Sequence, residues 1–95
     1  PILDNNKVDW DGLSVSAKQG YAMGLLDMHL QPMFDDSQTT KDLIEHRKKC
    51  LLRMDMTPQG LVDLIDTMYQ NDVSIWRFFP TSVLIQGLHK MCGEP

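Results

Sequence analysis

The stretch over residues 57–70, TPQGLVDLIDTMYQ, narrows what this chain can fold into more than any other. Thr57 is suited to accept a hydrogen bond from the first-turn amides, and Pro58 stands where a missing N–H costs nothing. Leu61, Leu64, Ile65, Met68 and Tyr69 recur at i, i+3, i+4, i+7 and i+8, while Gln59, Asp63, Asp66, Thr67 and Gln70 fall on the other side. The spacing predicts an amphipathic helix whose apolar face the rest of the chain must cover.

Three further helices are expected around it. The first runs from about Leu13 or Ser14 to Leu30, with Leu13, Ala17, Tyr21, Gly24, Leu25 and Met28 as its inward stripe and Ala22, Leu26 and His29 widening it to more than half the circumference. Gly20 and Gly24 predict a close crossing with a neighbouring helix, which would compensate the roughly 1 kcal/mol that each costs relative to Ala. Pro32, Asp35, Asp36 and Ser37 make a turn. The second helix starts at Thr39 or Thr40, with Thr39 and Asp42 resembling a capping box. Leu43, Ile44, Cys50, Leu51 and Met54 face inward there, and His46, Arg47, Lys48, Lys49 and Arg53 form a solvated basic cluster favoured near a helix C-terminus. Pro80 opens a last helix driven by Val83, Leu84, Ile85, Leu88 and Met91, and Gly93 stops it. Residues 1–10 show no periodicity, and Trp10 is the residue among them suited to dock on a core. The expected fold is all-α: a compact bundle of about four helices over residues 13–95, behind a flexible lead-in at 1–12.

The chemistry is sparse. A net charge of −4 and a pI near 5.1 argue against a nucleic-acid partner. No run approaches the roughly 18 apolar residues of a membrane span, so no insertion is expected. His29, His46 and His89 have no zinc spacing, and no phosphate-loop or nucleophile-elbow pattern is present, so neither enzyme activity, nor a cofactor, nor a metal is expected. The chain begins at Pro1 without an initiator Met, which reads as a processed product. Seven Met are expected mainly as core fillers. Cys50 and Cys92 would pair in an exported domain and stay free in a cytosolic one; composition leaves both open, although pairing is a better use of them than a Cys–His nucleophile. Residues 71–79 form a long aromatic connection. Ile75, Phe78 and Phe79 suit closing one end of the core, and Trp76 and Arg77 are of the types that dominate binding hot spots.

Three pieces, in order, resemble a known family. Gly20-Tyr21-Ala22-Met23-Gly24-Leu25-Leu26-Asp27 is similar to its first-helix pattern. Cys50 followed by Met56-Thr57-Pro58-Gln59-Gly60-Leu61-Val62 is similar to the opening of its central helix, which ends in a Tyr, here Tyr69. Pro80-Thr81-Ser82-Val83-Leu84-Ile85-Gln86-Gly87-Leu88, then Cys92-Gly93, is similar to its last helix and terminal Cys. The family is that of the type VI secretion amidase immunity proteins, the Rap/Tai group. Lys18-Gln19, Leu51-Leu52 and Gly87 depart from its usual Cys, Pro and Ala. The resemblance implies a periplasmic, often dimeric helical protein with a Cys50–Cys92 disulfide. Such a protein binds a cognate peptidoglycan amidase effector, occludes its active cleft and protects against self or kin intoxication, without catalysis of its own. The contacts do not carry over residue by residue. Composition alone assigns effector binding to Asp72, Ser74, Ile75, Trp76 and Arg77. The alternative is a small periplasmic helical chaperone or another protein-binding module.

Overall fold

The computed structural model describes residues 6–31 and 37–93. Among them are five α-helices, a short 3-10 turn and no strand: α1 (Lys7–Asp11), α2 (Val15–His29), α3 (Gln38–Arg53), α4 (Pro58–Asn71), the turn Val73–Ile75, and α5 (Pro80–Cys92). The all-α bundle and its one disulfide, Cys50–Cys92, are as expected.

α4 is central and packs against both α2 and α5. Its start is the one its sequence predicts: Thr57 Oγ1 accepts from the Gly60 amide at 2.9 Å, and Pro58 is the first helical residue. Leu61, Val62, Ile65 and Tyr69 are buried, and Leu64 and Met68 are half-buried against the same core. α5 brings Val83, Leu84 and Leu88 to that core and ends at Gly93, whose φ of 71° suits glycine. Gly87 lies directly against Leu64; a Cβ there would stand 2.9 Å from Leu64 Cγ. The two helices approach closely because that side chain is missing. Ile85, expected inside, is partly exposed.

Within the expected lead-in, residues 6–12 hold α1 and pack on the bundle through Trp10; residues 1–5 lie outside the described part. Asn6 Oδ1 accepts from the amides of Val8 and Asp9 and starts α1. Trp10 is 0% exposed, and its indole N–H donates to Asp66 Oδ1 on α4 at 2.6 Å. Lys18 Nζ lies 3.7 Å from the same oxygen and over the indole ring, so the half-buried carboxylate has two partners. Five residues are too few to show a helical period, but one buried indole is worth up to about 5 kcal/mol of transfer free energy, which outweighs the absence of a pattern.

α2 turns inward only part of the face predicted, with Leu13 and Tyr21 packed on the core beside it. Ala22, Leu25 and Leu26 are buried, whereas Ala17, Gly24 and Met28 are exposed, so less than half of the helix is covered. A Cβ at Gly20 or Gly24 would meet nothing within 4 Å, so no helix crosses there. In a helix whose small and apolar residues are spread all round, the period does not choose the face; packing on α4 chooses it.

α3 starts earlier than predicted. Ser37 Oγ accepts from the Thr40 amide, so the helix begins at Gln38 and the Thr39–Asp42 box does not form. Ile44, Cys50 and Leu51 point inward as expected, but Met54 is exposed and Arg47, assigned to the solvated cluster, is buried. Pro32, Asp35 and Asp36 lie outside the described residues. α3 leans chiefly on α5, where the disulfide joins them with Cα atoms 5.8 Å apart. Of the described Met, Met56, Met68 and Met91 are half-buried against the core as expected, whereas Met23, Met28 and Met54 are exposed.

These contacts set three stability outcomes. In thermal unfolding, Gly20→Ala and Gly24→Ala each raise stability by up to about 1 kcal/mol, because helix propensity is gained at no steric cost. Gly87→Ala lowers it by about 1 kcal/mol net, since overpacking against Leu64 outweighs the same gain. Denaturant titration of Trp10→Ala shows a loss of about 4 kcal/mol; a loss under about 1 kcal/mol would mean that α1 is not part of the core.

Candidate protein-docking surfaces

The connection from α4 to α5 is built around Trp76. The last carbonyls of α4 lack helical partners, and the Trp76 indole N–H donates to that of Tyr69 at 2.6 Å. The Trp76 carbonyl accepts from the Lys7 amide at 2.9 Å, satisfying an orphan donor at the start of α1. Lys7 Nζ sits 5.0 Å from the Trp76 ring centroid. One residue thus ties two helix ends together while its ring stays 44% exposed. The Tyr69 hydroxyl donates to the Phe78 carbonyl at 2.7 Å; burial, with Tyr21 and Asp11 adding to it, pushes its pKa well up, so it stays a donor.

The five residues assigned to binding divide. Ile75 is buried in the core and presents no side chain to a partner. Asp72 Oδ1 accepts from the Ser74 hydroxyl at 2.6 Å and from its amide at 2.9 Å, and the hydroxyl first and the amide second hold the exposed carboxyl below its ordinary range. These two residues shape the turn. Trp76 and Arg77 are exposed, with the Arg77 guanidinium 5.7 Å from the Phe78 ring. Phe78 packs on the core as expected, but Phe79 is 51% exposed, because Pro80 and not Phe79 fills the buried position at the start of α5. Val73, also exposed, adds to the apolar character of this end.

A second surface was not foreseen. An open groove of about 670 Å³ lies between α2 and α3, with Met23, Leu26 and Leu30 on one wall, Leu51 and Leu52 on the other and Leu61 beneath. Its rim is the end of α3. The Met56 amide bonds the Leu51 carbonyl, the Asp55 amide bonds the Leu52 carbonyl, and Asp55 takes a φ of 52°. This is a left-handed helix cap with aspartate in the place that glycine usually occupies. The adjacent leucines 51 and 52 were the available signal: neighbours on a helix point about 100° apart, and Leu52 is left 77% exposed.

Between α2 and α3, His29 Nε2 and Arg47 Nη1 are 2.6 Å apart; between α3 and α5, His46 Nε2 contacts the Cys92 carbonyl at 2.9 Å. No group of three or more His, Cys, Asp or Glu suited to a metal occurs among the described residues. No described helix is long and apolar enough to cross a membrane.

Comparison with protein-family models, with curated proteins and with solved structures finds no match.

Replacing Asp55 by Gly is expected to raise stability by about 1 kcal/mol, because the left-handed conformation is costly for residues with a side chain. Chemical denaturation of Asp55→Gly checks this; a destabilised variant would mean that the carboxylate has a role at the rim.

Proposed function

We propose that this protein is a binding protein that neutralises a peptidoglycan amidase effector of a type VI secretion system by covering its active cleft. One observation carries the reading above the rest. Cys50 and Cys92, the two cysteines in the positions that the motif order resembles, are bonded and clip α3 to α5. The α4–α5 connection adds a rigid, partly exposed aromatic and cationic knob, Trp76 with Arg77, of the kind that anchors protein interfaces. A periplasmic setting and a homodimeric unit belong to the same proposal; a disulfide fits an oxidising compartment.

The reading is tested by mixing the protein with its cognate peptidoglycan amidase, sought first among the neighbours of its gene, and measuring co-elution and mass by size exclusion with light scattering. A complex with one amidase per subunit is expected, and separate peaks at micromolar concentrations would sink the proposal. Arg77→Ala is the cleaner probe of the loop, since Trp76→Ala also removes the bond to Tyr69. It is expected to weaken binding by about 2 kcal/mol, roughly 30-fold. Unchanged affinity would move the contact away from this loop.

A further inference from the structure

His29 ends α2, and Arg47 lies on α3 facing it, with Nε2 and Nη1 2.6 Å apart. Arg47 is 4% exposed, and its Nε has no hydrogen-bond partner among the described residues. A guanidinium carries only N–H donors, so the lone pair in this contact belongs to His29. Nε2 accepts, and the ring is neutral with its proton on Nδ1. Among the described residues no carboxylate forms an ion pair with Arg47. A proton added to Nε2 removes the acceptor and sets a second positive charge against a buried cation.

The contact sits where the bundle is least tightly closed. The C-terminal half of α3 is bound to α5 by the disulfide and by the His46–Cys92 contact. Against α2 its packing is thin, and the groove opens along the same junction, between Leu26 and Leu30 on one side and Leu51 and Leu52 on the other.

We propose that the His29–Arg47 contact is a proton-operated latch: acidification loosens α3 from α2 along the seam that holds the groove, while the Cys50–Cys92 bridge keeps α3 on α5. Of the charged groups on α3, α4 and α5 among the described residues, Arg47 is the one that bears on His29. Burial first, and Arg47 second, hold the His29 pKa below its ordinary 6.5. The unfolded chain therefore takes up this proton at higher pH than the folded chain. The stability contributed by the neutral contact is whole above about 6.5 and is lost as pH falls toward the folded value. This latch is independent of the amidase reading and is tested without a partner.

The test follows the oxidised full chain from about pH 7.5 to about pH 4.5. The readings are the His29 imidazole resonance, apolar-dye fluorescence and amide protection factors corrected for intrinsic exchange. Protection over residues 38–47 falls by up to tenfold per pH unit once His29 titrates, dye binding rises, and α4 and α5 stay protected. His29→Gln keeps an acceptor for Arg47 but takes no proton, and it leaves His46 and His89 in place; its acid response is lost. Arg47→Met moves the His29 titration toward 6.5 and weakens the response without abolishing it, because burial still opposes the charged ring. The same acid response in His29→Gln, or His29 titration in the wild type with α3 protection unchanged, overturns the proposal.

Discussion

The apolar face of α4 is the constraint on which the other helices depend. Leu61, Val62, Ile65 and Tyr69 have to be covered, and α2 and α5 cover them from two sides. The missing side chain at Gly87 lets α5 come close enough for Leu64 to rest on its backbone. Even the polar side of α4 is used: Asp66 receives the indole N–H of Trp10, which draws α1 onto the bundle. The helix with the clearest pattern is the one that the chain surrounds.

α3 is attached differently. It gives the central core little beyond Leu51, and is held by a covalent bridge to α5, a His46 contact to the Cys92 carbonyl and the Arg47–His29 contact to α2. A bridge separated by 42 residues is worth about 4 kcal/mol on a chain-entropy basis. The bridge and both polar contacts fall within about one turn of α3, and the groove lies where its C-terminal end stands beside α2 with little packing between them.

Trp76 shows how one residue can close two helix ends and still present its ring to solvent. Its N–H and carbonyl close the ends of α4 and α1, which fixes the ring in place while nearly half of it faces solvent. An aromatic held this way loses little freedom on meeting a partner, which is the property of a binding anchor. Asp72 and Ser74 act behind it by fixing the turn, and Ile75 anchors the turn to the core.

Much of this was legible locally. Thr57, Pro58, Pro80 and Gly93 marked the ends of α4 and α5 because caps and stops depend on a few neighbouring residues. The α4 face was legible because its apolar residues are segregated. The rest depended on partners far along the chain. The inward face of α2 could be read only in part from a helix with apolar residues all round. Trp10 could be named as the residue that docks, but not its partner Asp66, 56 residues away. Arg47 reads as a surface cation in any local window; it is buried because His29 offers a lone pair at that spot. At the candidate site, residue type alone pointed to Trp76 and Arg77 but could not separate them from buried Ile75, nor show the groove beside Leu52. Sequence by itself determined which of the longer segments become helices, though not α1, and where the best-capped ones begin and end, since those rest on short-range hydrogen bonding. Tertiary structure decided which faces are covered, because burial is settled by the neighbour that arrives.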